Sequence, residues 1–292
     1  MFAQIRRLLR HSLVYGLGHI LSRMVSFLLL PYFTHCLNPE EYGAVTLLHT
    51  FIALALVFYI YGFDTSFVRY YILEKDSVKR DEIFSTIFWM SLVSSGVFTV
   101  LISLSAGILT SVVFDNPETI GNNTIYLVLL CGGILLTDTL GSYPYLYLRA
   151  VEKSLLFISL KVFGVILHVA LTIIFLSVFH RGVAGIFEAN LIASTAQLLL
   201  LLPIIFKNVK LTFKLDHVRE FARFGLPNVP SQMFVMLVEL ADRKILELLI
   251  GLSIVGLYSA GYKLGLFMAV VSMGFRFAWH PFFLSIADRP DA

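Results

Sequence analysis

An all-α integral membrane protein with about eight transmembrane helices is the fold class the sequence predicts. Three observations predict it. Hydrophobic residues make up 58% of the 292 positions, charged residues only 14%, and the mean hydropathy is +0.84; a soluble domain carries roughly 25% charged residues. Apolar runs of about 20 residues, the length that crosses a bilayer, recur along the chain. The basic residues between those runs alternate from one connection to the next.

The runs fall at 12–35, 42–63, 83–113, 122–148, 155–179, 182–206, 222–250 and 254–285. The first opens behind Arg6, Arg7 and Arg10 and has no small-residue cleavage site. It reads as a membrane helix that also targets the chain, not as a removable leader. The connections carry turn and polar residues: "LNPEEYG" after the first run, "EKDSVKRDE" after the second, "FDNPETIGNN" after the third. "HRG" separates the fifth from the sixth, and "FKNVKLTFKLDHVRE" the sixth from the seventh.

Orientation follows from the loops. Fourteen basic residues lie at the N-terminus and in the second, fourth and sixth connections, from Arg6 to Arg223, while the odd connections hold only Arg181. The positive-inside rule puts the N-terminus and the even connections in the cytoplasm. The alternation also supports the span count, since one missed helix would scramble it. The expected location is the cytoplasmic (cell inner) membrane.

The chain is also internally similar. "YGLGHILSRM" at 15–24 resembles "FGLPNVPSQM" at 224–233, and "EEYGAVTLLHTF" resembles "SIVGLYSAGYKL", with Gly43 against Gly256. Helices seven and eight then repeat helices one and two. The division expected is a six-helix bundle over 1–210, followed by the first two helices of a second bundle over 211–292. Six crossings return the chain to its starting face, so the units are parallel repeats, one of the known transporter plans. The sequence stops at "SIADRPDA" with four helices of the second unit expected beyond it.

Several functions are disfavoured. The basic residues are scattered between apolar blocks, so the net charge of +3 is not a nucleic-acid signal. Cys36 and Cys131 offer no disulfide framework and no metal spacing. No paired-histidine metal motif, nucleophile elbow or phosphate loop appears, and no long outer loop could hold a catalytic site, so an enzyme is not expected. What remains unusual is charge inside apolar runs: Arg23, Lys161, Arg243, Lys244, Lys263 and Arg276. An intramembrane charge costs roughly 3 kcal/mol or more, so such groups line wet cavities or pair with one another. Basic groups in a membrane cavity suit an anionic cargo.

The residues also resemble a known family. "LSRMVSFLLLPYFTHCLNPEEYGAVTLLHTF" is similar to the first helix pair of polysaccharide-biosynthesis flippases of the multidrug/oligosaccharidyl-lipid/polysaccharide exporter superfamily. "PYLYLRAVEK" at 144–153 resembles the end of their fourth helix, and "ADRKILELLIGLSIVGLYSAGYKL" at 241–264 their seventh and eighth. The resemblance implies a MATE-like fold of two six-helix bundles around a central cavity, working by alternating access. It implies a lipid-linked oligosaccharide as cargo, with other polysaccharide-assembly proteins as candidate partners. It implies that Arg23, Lys263 and Arg276 lie on cavity-lining helices.

Roles can then be assigned to single residues. Arg23 lies thirteen positions after Arg10, about 20 Å along a helix at 1.5 Å per residue, too deep to snorkel easily. Its guanidinium fork suits a diphosphate, with pairing to Asp64 or Asp138 as the structural alternative. Lys263 could receive phosphate during release or snorkel outwards, and Arg276 could meet cargo on entry or anchor its helix. Arg243 belongs to a cluster with Glu239, Asp242, Lys244 and Glu247 that neutralises much of itself through i,i+4 pairs. Lys161, six residues into its run, reads as snorkelling, and His168 as a satisfied core histidine. Asp138, Glu188 and Asp64 are the candidates for coupling to H+ or Na+. No cofactor or metal is expected. Against the flippase stand a cation-coupled multidrug exporter of the same fold and, from another class, a membrane polymerase or acyltransferase.

Overall fold

The computed structural model describes residues 29–116, 124–265 and 268, and these are helical with no strand among them. Most of the first expected span, with Arg23, and the later part of the eighth, with Arg276, lie outside the described residues.

After the short α1 (Leu30–Cys36), α2 (Pro39–Ile60) begins with a full capping box. Asn38 accepts from the Glu41 N–H at 2.8 Å, and Glu41 answers to the Asn38 N–H at 3.0 Å. Two orphan donors are thereby satisfied, with Pro39 at a position that needs none. The left-handed pair Tyr61 (φ 53°) and Gly62 (φ 69°) ends α2. A second helix, α3 (Phe63–Leu73), follows where the sequence suggested only a connection.

Asp76 caps α4 (Ser77–Leu104) by accepting from the Val78 N–H at 2.9 Å. Just before it, Glu74 accepts from the N–H groups of Asp76 and Lys75, which holds its carboxyl below the usual range. The third span was expected as one run over 83–113. It instead starts earlier, through the polar "SVKRDE", and breaks at Ser105 into α4 and α5 (Ala106–Val113). Ser103 and Ser105 both turn back to carbonyls one turn earlier, a habit that bends helices.

The next three helices match the expected spans closely: α6 (Thr124–Ala150), α7 (Ser154–Ser177) and α8 (Gly182–Asn208). With α2 and α4 they are the five helices, among the described residues, long and apolar enough to cross a membrane. Pro144 and Pro203 sit inside α6 and α8, as membrane helices tolerate when neighbours re-satisfy the freed backbone. The most buried of the five is α6, packed against α2, α4, α5 and α8; the least buried is α7, which packs mainly on α8.

The expected seventh span, 222–250, is divided. An amphipathic helix, α9 (Leu215–Gly225), lies against α3 and α4, and Pro227 separates it from α10 (Asn228–Leu249). Phe221 of α9 is fully buried, and Ser66 donates to its carbonyl at 3.2 Å. The segment before α9 is pinned to α4 by the Lys210–Asp81 and Lys214–Glu82 ion pairs at 2.6 and 2.7 Å. In α10 only Asn228–Val238 is apolar, because the charged cluster occupies the second half. The last described helix, α11 (252–265), crosses α2 where two glycines meet. A Cβ on Gly256 would lie 2.0 Å from the Pro39 carbonyl oxygen, and one on Gly43 2.3 Å from that of Leu252. These are the two glycines matched by the internal similarity.

Candidate functional site: a polar cavity between α6, α7 and α8

A cavity of about 460 Å³ opens between α6, α7 and α8 and is closed on one side by the junction of α2 and α3. Its lining includes two carboxylates, Asp64 and Asp138, and two cations, Arg149 and Lys161. Asn190, Ser194 and Gln197 add hydrogen-bonding groups from one face of α8, at spacings of four and three residues.

Asp138 is near the middle of α6, yet it is exposed. Since it lines the cavity, that exposure faces inwards rather than towards lipid. Ser194 of α8 donates to its Oδ1 at 2.6 Å, which fixes the carboxylate and ties α6 to α8. Asp64, in the first turn of α3, keeps Oδ1 shielded from solvent and without a hydrogen-bond partner among the described residues.

Lys161 departs from expectation. Rather than reaching for a membrane surface, its Nζ lies 4.0 Å from the centre of the Tyr145 ring, within electrostatic reach of Asp138. A cation over an aromatic face is held by the ring quadrupole. Tyr145 is held in turn: its hydroxyl donates to Gln197 at 2.8 Å, and Phe157 meets its ring edge-on at 5.5 Å. Room for Gln197 comes from Gly164, where a Cβ would lie 2.1 Å from the amide.

Other expected residues fall elsewhere. Glu188 is engaged by Arg181, and at 2.9 Å by the Tyr126 hydroxyl, away from the cavity lining. Lys263 lies 5.2 Å from the Tyr42 ring centre and 5.8 Å from that of Phe33, joining α11 to α1 and α2. Arg243 is buried, with its guanidinium 4.9 Å from the Tyr262 ring centre and 3.3 Å from Asp242. Glu247 takes Lys244 as its partner at 2.5 Å, an i,i+3 pair, and also accepts from the Asp115 N–H at 2.9 Å. The Glu239 side chain lies outside the described residues. His168, expected to be a satisfied core histidine, is within hydrogen-bonding reach of the Ile186 backbone, while its Nε2 is buried with no partner of its own among the described residues. His49, which no sequence pattern marks, faces the Phe187 ring at 5.1 Å and lies within electrostatic reach of Lys263 and His168. Among the described residues no group of side chains could hold a metal ion.

The model of a family described as polysaccharide biosynthesis protein matches residues 8–286. The chain belongs to the polysaccharide biosynthesis protein family. No curated protein matches it. Among solved structures, this family member is similar to an outward-facing multidrug resistance MATE family transporter of the MOP superfamily. The TM-score is 0.68 at 18% identity, covering 91% of this chain and 61% of that one. A MATE in the straight conformation gives 0.66 at 18% identity, covering 90% and 60%. A MOP superfamily transporter from Pyrococcus furiosus, described as having a binding pocket of reverse polarity, gives 0.56 at 18%, covering 77% and 52%. The chain thus spans less than two thirds of the structures it resembles. At these identities the likeness shows the fold: this is a multi-pass helical membrane protein with the MATE-like architecture of MOP-superfamily transporters.

Proposed function

We propose that the protein is a flippase, not an enzyme. It moves polyprenyl-diphosphate-linked oligosaccharide from the inner to the outer leaflet of the cytoplasmic membrane by alternating access, for cell-surface polysaccharide synthesis. The family match across residues 8–286, on a fold shared with transporters, carries this reading. In it, residues 1–210 form one six-helix unit and 211–292 open a second, with the N-terminus in the cytoplasm. Arg23 grips the diphosphate, helped by Lys263, Arg243 and Arg276, and Asp138 and Asp64 couple transport to H+ or Na+. A cation-coupled exporter is the second reading, favoured by the two carboxylates in the cavity and by the multidrug transporters of like fold.

The test is rescue of a bacterium lacking its own surface-polysaccharide flippase, with the parent and Arg23→Ala compared at matched membrane levels. Rescue by the parent and failure of the variant is the expected result. Equal rescue would keep the flippase and remove Arg23 as the grip. Absence of rescue across several donor sugars, at good expression, would overturn the reading.

A further inference from the structure

Two carboxylates facing a cavity inside a membrane bundle form an attractive site for a lipophilic organic cation, because the low-dielectric walls do little to screen their charge. In this protein the same cavity already contains an ammonium. Lys161 enters from α7, rests on the Tyr145 ring at 4.0 Å and lies within electrostatic reach of Asp138. Its position is built rather than incidental. Gly164 makes room for Gln197, Gln197 accepts from Tyr145, and Tyr145 supports the Lys161 Nζ. Asp138 is fixed from the opposite helix by Ser194 at 2.6 Å.

We propose that Lys161 is a tethered counter-ion that occupies the acidic side of this cavity and excludes lipophilic organic cations, and so sets the charge class of the organic ligands the cavity accepts. A free cation approaching Asp138 must displace an ammonium that cannot leave, and it meets like-charge repulsion at that point. With Lys161 present the lining carries two carboxylates against two cations. Replacing Lys161 with a neutral side chain of similar length leaves an excess of negative charge, the polarity a lipophilic cation needs. The inference concerns the cavity alone and stands whether or not lipid-linked sugar is the cargo.

The probe is tetraphenylphosphonium, bound to the purified full chain in detergent and measured by equilibrium dialysis. Four proteins are compared: the parent, Lys161→Arg, Lys161→Met and the double variant Lys161→Met/Asp138→Asn. Monodispersity on size-exclusion chromatography checks each fold, and Lys161→Gln replaces Lys161→Met if that variant aggregates. Weak binding by the parent and Lys161→Arg is expected, with binding by Lys161→Met at least about tenfold tighter, and with the gain lost in the double variant. Parent binding as tight as that of Lys161→Met would overturn the proposal. So would a well-folded neutral variant with no gain, or a gain that survives Asp138→Asn, since the cation would then be bound elsewhere.

Discussion

The charges on α10 and those around the α6–α7–α8 cavity are of the same kinds, acidic and basic side chains set into apolar helices, but their surroundings differ. On α10, Glu247 is buried, paired with Lys244 and bonded to the Asp115 N–H, and Lys244 also donates to the Val113 carbonyl at 3.1 Å. Asp242 accepts from both Arg243 and the Tyr258 hydroxyl. These bonds join α10 to the end of α5 and to α11. Around the cavity, Asp138 is exposed to open space, Asp64 keeps an oxygen without a partner among the described residues, and Lys161 rests on a ring rather than on a carboxylate. In the first arrangement Asp242, Lys244 and Glu247 are engaged with the fold. The second leaves groups such as Asp64 Oδ1 uncommitted, which suits the proposed role of accepting and releasing a ligand.

Breaking the saturated cluster should have the largest effect on stability. Lys244→Met leaves Glu247 buried without its cation, and removing one partner of a buried pair costs about 3 kcal/mol or more. Denaturant unfolding in detergent micelles should show that loss, and a shift below about 1 kcal/mol would contradict the distinction drawn between the clusters. In the cavity the order reverses. Asp138→Asn keeps the shape and an acceptor for Ser194, so unfolding should move by less than about 1 kcal/mol. On the proposed function, transport in vesicles should nevertheless fall by roughly tenfold, the effect of about 1.4 kcal/mol on a barrier. Matched losses in both measurements would make Asp138 structural. The smallest effect belongs to a pair at the surface: Lys210→Ala removes a half-exposed lysine from its contact with Asp81, and exposed pairs contribute about 0–1 kcal/mol. Unfolding and transport should both stay near the parent's, which marks the noise floor for the other two.

How much of this could be read in advance differs by element. Spans two, four, five and six were legible because length and apolarity alone define a crossing. The breaks at Ser105 and Leu226–Pro227 were not, because an apolar run does not reveal where its backbone turns; only Pro227 and the back-bonding serines signalled them. Asp64 and Asp138 were legible as costly charges. The side Lys161 faces was not, since a helix apolar all round gives no periodicity to distinguish lipid from cavity. One signal was available and missed: Asn190, Ser194 and Gln197 place polar groups on a single face of α8. Tyr145 carried no such mark, because tyrosine is ordinary packing material in a chain with 13 of them.

The crossing of α2 and α11 has a mechanical consequence. At Gly43 and Gly256 the two backbones come so close that a Cβ on either would meet a carbonyl oxygen of the other helix. Adhesion there comes from van der Waals contact and weak Cα–H···O attraction, each small on its own. The seam therefore tolerates nothing larger than a hydrogen atom at either glycine, so any side chain there acts as a wedge between α2 and α11, against the grip of buried Val255 and of Lys263 on Tyr42.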